Sequence, residues 1–515
     1  MGVRFPLTAH MFSNKKVLLI LAGLTLLIYG QSLFGSFVFD DRGILEHQEL
    51  LSSTNNLIQV SLYSYWPEDA GLYRPTSLLS YLFNIVFLGL GAWGFHLVNI
   101  LLYIGIAWLI YLWLKDLWGN EHLAIFASAL FTVLPIHTEV VANITGRLEL
   151  LALLFSLLAL REVSREGRGY WLAGIYTFFA VGAKEVAIAV LPLMALTTLV
   201  KKRSLLNWPL ISGTLGVLVY FTLRFVVLGP AHFLGVETSL IENPLLFESA
   251  LSRVATALSI LTMYLGKTFW PANLCSDYSY NQIAILDTLL HFKVLIGFGV
   301  LALSGLGIVL YRRSPILAMG SAVFFFSFLP VSNIFFPIGT IAGERLFFYP
   351  TLGLMILVAY GLSRVKWGGQ VLVAVCLIYS IIAFNRQAVW LTEESLFINA
   401  SQCSPQSVLS LSNLGTVYYF KGDYAEAERV LLQSKAIKPI YSKGLNNLGL
   451  VYWKWGRLKE TEELYHEALL QKYPYNGALE NLVLLNLKQG DTQGALRWLR
   501  ILYPNVGDSV LRSQF

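Results

Sequence analysis

The chain has 515 residues, of which 56% are hydrophobic and only 13% are Asp, Glu, Lys or Arg, about half the charged share of an ordinary soluble domain. That composition excludes a purely soluble protein, and a scattered net charge of +6 argues against nucleic acid as a partner. Cys275, Cys376 and Cys403 form an odd, widely spaced set with neither a disulfide framework nor a metal-ligand spacing, so they read as incidental. Charge is unevenly shared: residues 401–515 hold 13 basic and 10 acidic side chains, and the other 45 charges are spread over the first 400 residues. Residues 1–400 therefore read as an integral membrane domain and 401–515 as a small soluble one.

Apolar runs lie near 16–34, 96–114, 122–136, 148–162, 170–184, 186–200, 208–229, 291–310, 315–336, 346–362 and 367–384. They approach or reach the roughly 20 residues needed to span a bilayer, which predicts eleven transmembrane helices. The first run is too long for a cleavable signal and has no small-x-small site. Short-loop cations then set the orientation. Lys15, Lys16, Lys115, Arg161, Arg165, Arg168, Lys201, Lys202, Arg203, Arg312, Arg313, Arg364 and Lys366 fall on one side of eleven crossings, which is the cytoplasm. The N-terminus is inside and the C-terminal domain outside. Two further apolar stretches, 76–92 and 255–271, would break the alternation, so they are expected as interfacial helices on the outer surface.

Residues 408–505 repeat every 34 positions: Leu414, Leu448 and Leu482; Gly422, Gly456 and Gly490; Ala427, Thr461 and Ala495; Leu431, Tyr465 and Leu499. With Leu414-Gly415, Leu448-Gly449, Tyr418, Tyr452, Pro439 and Pro474, this is the tetratricopeptide (TPR) pattern of an α-solenoid with three repeats. Val483 and Asn486 make the third repeat degenerate, as a capping unit is. Such a stack offers a concave surface for a protein segment.

With this topology, one set of ionisable residues collects at the outer face: Asp40, Asp41, Arg74, His96, His137, Glu139, Arg147, Glu149, Lys184, Glu185, Arg224, Asp277, Glu344 and Arg345. Charges at membrane depth are costly and usually line a cavity or pathway. Adjacent Asp40 and Asp41, directly after the first span, can supply a general base, because apolar surroundings and mutual repulsion raise at least one pKa; the same pair could instead bound a loop. His137 and Glu139, two residues apart, do not face one way on a helix and do not suit zinc, whereas hydrogen bonding to a sugar or phosphate suits them. Lys184 and Glu185 read either as part of the site or as an ion pair with each other. Arg345 could grip a lipid phosphate through two parallel hydrogen bonds.

Taken in order, Phe39-Asp40-Asp41, Tyr73-Arg74-Pro75, His137-Thr138-Glu139, Gly146-Arg147 with Glu149, Lys184-Glu185, Asp277-Tyr278-Ser279, Gly343-Glu344-Arg345 and the repeat array resemble the transmembrane-and-TPR (TMTC) protein O-mannosyltransferases. The resemblance implies an all-α GT-C glycosyltransferase that uses a polyprenyl-phosphate-linked sugar, typically dolichyl-phosphate mannose, on the extracytoplasmic side. It also implies a catalytic acid in the first external loop, matching Asp40 and Asp41, with Asp40 favoured. The short array and the compact 230–290 region depart from the animal members. A bacterial-type relative, using undecaprenyl-phosphate sugar in a cytoplasmic membrane, fits as well as an enzyme of the endoplasmic reticulum.

The expected reaction is transfer of one hexose to a Ser or Thr hydroxyl of a translocated protein by a single, inverting displacement. Asp40 or Asp41 takes the proton. Arg345, with Arg147, Arg224 or Lys184, stabilises the phosphate left behind, and Arg74, His96, His137, Glu139, Glu149, Glu185 and Glu344 complete the binding set. Expected partners are the lipid-linked donor, membrane lipid and a protein acceptor held by the TPR array. No tightly bound metal is expected, since no Asp-x-Asp pair at nucleotide-sugar spacing occurs; a divalent ion bridging phosphate and carboxylate is the alternative. The rival functions are a GT-C transferase acting on a lipid or glycan, a non-catalytic TPR scaffold and a transporter. The last fits worst, because the charges sit at span ends and not at broken mid-membrane helices.

Overall fold

The computed structural model describes residues 13–46, 49–65, 71–165, 169–233, 238–470, 475–504 and 506, and every regular element among them is helical. The chain divides into two compact units: Met1–Ser276 with Ile285–Leu396, and Asp277–Ala284 with Phe397–Phe515. Arg168, one of the orienting cations, lies outside the described residues.

The principal helices of the first unit are α1 (Asn14–Tyr29), α2 (Pro75–Leu88), α3 (Ala92–Trp118), α4 (Glu121–Val133), α5 (Arg147–Ser164), α6 (Tyr170–Ala183), α7 (Val190–Val200), α8 (Trp208–His232), α9 (Ala250–Phe269), α10 (Phe292–Val309), α11 (Pro315–Phe328), α12 (Phe348–Leu362) and α13 (Gly368–Gln387). Each of the eleven apolar runs is occupied by helix. Length and composition single out fewer as membrane spans. Six qualify: Asn14–Phe34, Ala92–Trp118, Trp208–Pro230, Phe292–Arg312, Glu344–Leu362 and Gly368–Trp390. A seventh is added if Glu121–Val133 and Pro135–Ala142, bent by 57°, count as one. Helix length thus carries six or seven of the eleven expected crossings. The others are cut short or charged: Pro135 and the Lys184–Glu185 step break the helical runs, and α5 carries Arg147, Glu149, Arg161 and Glu162.

Burial sorts the spans. In α1, α8, α10 and α13 only 22–33% of the apolar window is buried within the protein, against 56% for α3 and 67% for the Glu344–Leu362 span. Apolar side chains left outward along most of a helix are suited to lipid and not to water. The chain is a multi-pass membrane protein, with α3 and α12 central and the other four spans peripheral. Close helix contacts rest on missing side chains. A Cβ at Gly216 of α8 would lie 2.3 Å from the Gly174 carbonyl oxygen of α6, and one at Gly353 of α12 would lie 2.3 Å from the Phe324 nitrogen of α11. Small residues of this kind let helices approach in membranes, where apolar burial gives little drive.

The second unit contains three helix pairs: α14 (Val408–Lys421) with α15 (Tyr424–Ile437), α16 (Ser442–Lys454) with α17 (Leu458–Ala468), and α18 (Asn476–Lys488) with α19 (Thr492–Leu502). Gly422, Gly456 and Gly490 take φ of +82°, +74° and +78° at the turns inside the pairs, a conformation open to glycine at no steric cost. Within the pairs, a Cβ at Gly415 would lie 2.5 Å from Leu431, and one at Gly449 would lie 2.4 Å from Tyr465. The periodic small and large positions are therefore each other's packing partners. Asp277 belongs to this unit. Its carboxylate accepts hydrogen bonds from Ser279 and Ser410 Oγ, at 3.0 and 2.7 Å, and from Ser407 Oγ.

One sequence expectation fails here. Cys275 and Cys403 are disulfide-bonded and not incidental, and only Cys376 is free. Spacing carried no hint of this, because the relevant separation is set by folding and not by sequence distance.

Candidate active site

The loop after α1 makes a 3-10 turn, Phe39–Asp41, entered with Phe39 at φ +54°. A side chain other than glycine in the left-handed region is uncommon and is held there by its surroundings. Here the holding group is Asp41. Its carboxylate is fully buried and accepts the backbone N–H of Val38 at 3.2 Å and of Thr145 at 2.9 Å. Burial pushes the Asp41 carboxyl up to about 7, against the opposing pull of those N–H groups. The adjacent residue faces the other way: the Asp40 side chain is 39% exposed, with Arg345 Nη2 3.9 Å from its Oδ2. Two neighbouring carboxylates thus have different environments.

Arg345 is fixed from behind by Glu139. Its Nη1 lies 2.7 Å from Glu139 Oε1, and its backbone N–H donates to Oε2 at 3.0 Å. Glu139 comes from the short helix Thr138–Ala142 and Arg345 from the 3-10 turn Glu344–Phe347. Farther along, Lys184 forms an ion pair with the buried Glu149 of α5. Glu185 accepts from Arg74 Nη2 at 3.0 Å and from Arg224 Nη1 at 2.9 Å. The fields of Arg74 and Arg345 reach Lys184, so three ion-paired groups, Asp40–Arg345–Glu139, Glu149–Lys184 and Arg74–Glu185–Arg224, lie within electrostatic reach of one another. Lys184 and Glu185 are not paired with each other. The break between α6 and the Glu185–Ala189 turn sends the two side chains to different partners.

Three expected binding residues are engaged inside the fold. Arg147 is fully buried, donating to Asn99 Oδ1 at 2.9 Å, Asn84 Oδ1 at 2.9 Å and the Phe95 carbonyl at 2.8 Å, with its guanidinium 5.0 Å from the Tyr81 ring centre. Gly146 must precede it, since a Cβ there would sit 2.1 Å from the Val140 carbonyl oxygen. His137 is also fully buried, between Tyr103 OH and Thr351 Oγ1 at 2.8 Å each. Thr351 gives its one proton to the Phe348 carbonyl at 2.6 Å. His96 is buried facing the Ser36 backbone, with neither ring nitrogen in hydrogen-bonding geometry among the described residues.

Glu344 is buried too, accepting the Cys275 N–H at 2.6 Å, with Lys267 Nζ 3.9 Å away. Lys267 was not among the residues singled out from sequence. The signal was present in a lone cation near the end of the amphipathic 255–271 stretch. Tyr264, one turn earlier on α9, accepts the Gly343 N–H at 2.9 Å and so helps to hold the turn that presents Arg345.

The geometry thus assembles an accessible carboxylate beside a guanidinium, next to a belt of paired cations, in a multi-pass membrane protein. The chain is 28% identical to a protein O-mannosyl-transferase of Caenorhabditis elegans, over 86% of this chain and 66% of that protein. It is 27% identical to human protein O-mannosyl-transferase TMTC3, over 83% of this chain and 52% of that protein. Human protein O-mannosyl-transferase TMTC4 is likewise 27% identical, over 80% and 65% respectively.

The chain is a homologue of the TMTC protein O-mannosyl-transferases.

It spans between about half and two thirds of the length of these curated TMTC relatives. A tetratricopeptide-repeat family model matches residues 408–438, which are α14 and α15, the first pair of the array.

Proposed function

We propose that this TMTC homologue is a membrane glycosyltransferase that moves one hexose, mannose, from a polyprenyl phosphate to Ser or Thr hydroxyls of extracytoplasmic proteins. The observation that carries this reading is the division of labour in the first loop. Asp41 is buried and holds the turn, while Asp40 is half-buried, its side chain still reached by solvent, with Arg345 Nη2 3.9 Å from its carboxylate. A carboxylate acting as general base must reach the proton it removes, which Asp40 can do and Asp41 cannot.

In the proposed step the acceptor hydroxyl loses its proton to Asp40 as its oxygen attacks the anomeric carbon. The bond from that carbon to the phosphate oxygen breaks, and the polyprenyl phosphate departs with the electron pair. A single displacement of this kind inverts the anomeric centre and needs no second carboxylate as nucleophile. Nucleophile and leaving group lie on opposite faces of the sugar. The guanidinium touching Asp40 therefore serves the base more directly than the phosphate: it balances the charge of Asp40 and orients it, with Glu139 bracing it from behind. The departing phosphate draws instead on Lys184 and on the Arg74–Glu185–Arg224 triad, where two cations share one carboxylate. Arg147 and His137 act by holding the scaffold. No metal enters the step.

On this reading eleven helices cross the membrane, the N-terminus is cytoplasmic, and Asp40 and the repeat array are extracytoplasmic, where the array receives the protein acceptor. The test is transfer of labelled mannose from mannosyl polyprenyl phosphate to a Ser/Thr peptide by the purified full chain. Label passing only to lipid or glycan would replace this reading with a transferase of another acceptor class. No transfer to any acceptor would leave a scaffold.

A further inference from the structure

Three stretches far apart in sequence bring cations to one point near the start of α6, whereas Lys184 follows the end of that helix. Asp116 stands in the last turn of α3. Its Oδ2 accepts from Arg161 Nε, in the last turn of α5, at 2.8 Å and from Arg165 Nε, just beyond α5, at 3.1 Å. Lys201, directly after α7, donates from Nζ to the Asp116 carbonyl at 3.3 Å. Arg203 Nη1 donates to the carbonyls of Val163 at 3.0 Å and Arg165 at 3.4 Å. The turn that carries Lys201 and Arg203 has a fixed shape. Lys202 takes φ +55°, while its N–H and that of Arg203 donate back to the carbonyls of Leu199 and Thr198, a helix cap usually made with glycine.

Positive charge is left over at this point. Lys115 is turned away to Glu121, at 3.1 Å, and Glu162 faces Gly169, where a Cβ would lie 2.8 Å from its Oε2. Asp116 thus answers two guanidiniums and an ammonium with one negative charge. Both guanidiniums meet it through Nε alone. Among the described residues the Nη groups of Arg161 and Arg165 make no hydrogen bond. Such a planar Nη pair can grip two oxygens of a phosphate. A cation that only sets membrane orientation need do no more than lie in a loop. One that only offsets a helix C-terminus lies at its carbonyls, which is what Arg203 does for α5. Neither task requires Arg161, Arg165 and Lys201 to converge.

The neighbours of the cluster indicate its ligand. Leu206 and Trp208 follow it in sequence, exposed to 86% and 67%. The starts of α6 and α8 touch, with Ser212 Oγ donating to the Tyr170 carbonyl at 2.5 Å, and Trp171 is exposed beside them. Since α8 is a peripheral span, exposed tryptophans at this end mark the boundary between acyl chains and headgroups. Ile211, Leu215 and Leu218 continue down α8 as an exposed stripe at helical spacing. The cations therefore stand at headgroup depth, above an apolar track. The 14 residues of α6 extend about 21 Å, which separates this cluster from Lys184 and the candidate active site.

We propose that Arg161, Arg165 and Lys201 bind the headgroup phosphate of an acidic glycerophospholipid, with one acyl chain along the Ile211–Leu215–Leu218 stripe. Arg203 braces the site from the α5 end. On the topology proposed above the lipid belongs to the cytoplasmic leaflet; the binding itself depends on neither that topology nor sugar transfer.

The test is native mass spectrometry of the full chain in detergent, offered equimolar phosphatidylglycerol and phosphatidylcholine with the same acyl chains. The natural chain should retain the acidic lipid at least tenfold better. An Arg165→Gln, Lys201→Gln variant should lose at least tenfold of that retention with phosphatidylcholine unchanged. Lys15→Gln, Lys16→Gln removes the same charge from exposed positions elsewhere and should keep retention within twofold. Equal retention of the two lipids by the natural chain, or equal loss in the two variants, would overturn the proposal. A hundredfold excess of glycerol 3-phosphate should leave the acidic lipid bound. Its displacement would mark a site for a soluble phosphate, and displacement by equimolar polyprenyl phosphate a second site for that lipid; either would overturn the assignment. Should the first variant unfold, the lipid comparison and the two displacements on the natural chain decide alone.

Discussion

Replacing Asp41 by Asn should change how stability depends on pH, and in a predictable direction. The folded-state carboxyl titrates near 7, against 3.8 for an unburied one, because burial disfavours its charge. Between those values the folded chain holds a proton that the unfolded chain has released. Stability is therefore fully present below about pH 3.8, falls as pH rises through the window, and reaches its floor above about 7. A shift of about three units is worth about 4 kcal/mol at 1.36 kcal/mol per unit. Asn cannot ionise, so this fall disappears in Asp41→Asn. The substitution has its own cost of about 1–2 kcal/mol, since an amide NH2 must now face either the Val38 or the Thr145 N–H. The two proteins should therefore be about equally stable near pH 5, with Asp41→Asn the more stable by about 2–3 kcal/mol at pH 8. Thermal unfolding of both proteins in one detergent, scanned at one rate from pH 5 to 8.5, measures this. Parallel pH profiles would refute the assignment of Asp41 as a buried carboxyl that titrates in this range.

Other consequences are simpler to test. Gly146→Ala would place a methyl 2.1 Å from the Val140 carbonyl oxygen, so the backbone must move; a loss of about 1–3 kcal/mol in stability is expected, read as a lower Tm. Arg147→Met leaves the Asn84, Asn99 and Phe95 acceptors without their donor, which should cost about 3 kcal/mol or more of stability. In whatever fraction stays folded, KM for the lipid donor should be unchanged. Lys184→Ala, by contrast, should raise KM for the donor or lower kcat. Dialysis against chelator should leave sugar transfer intact; activity lost and then restored by manganese or magnesium would place a metal in the step.

The parts legible in the sequence share one property: they repeat or accumulate locally. The 34-residue period places Gly422, Gly456 and Gly490 at turns where all three take positive φ, and every apolar run of eleven is helical. Which runs are long enough to cross was less legible, because it turns on breaks such as Pro135 and Lys184–Glu185 that shorten a helix without changing its hydropathy. At the site, sequence located the Asp40–Asp41 loop, but not the split between its members. That split depends on the Thr145 N–H, contributed from 104 residues away. The same limit applies to Arg147 and His137, whose partners come from α2, α3 and α12 and satisfy them inside the fold. Lys267 and the two disulfide-bonded cysteines were missed for the complementary reason: single residues with no neighbours in sequence to make a pattern.

The central claim is that Asp40, and not Asp41, is the base of a sugar transfer. Asp40→Asn and Asp41→Asn, purified separately and assayed at pH 8 for labelled mannose passed from mannosyl polyprenyl phosphate to peptide, test it most directly. The account predicts a loss of about 10²–10⁴-fold for Asp40→Asn with its Tm unchanged, and less than about tenfold for folded Asp41→Asn. Full activity in Asp40→Asn, or the large loss falling on Asp41→Asn alone, would contradict it.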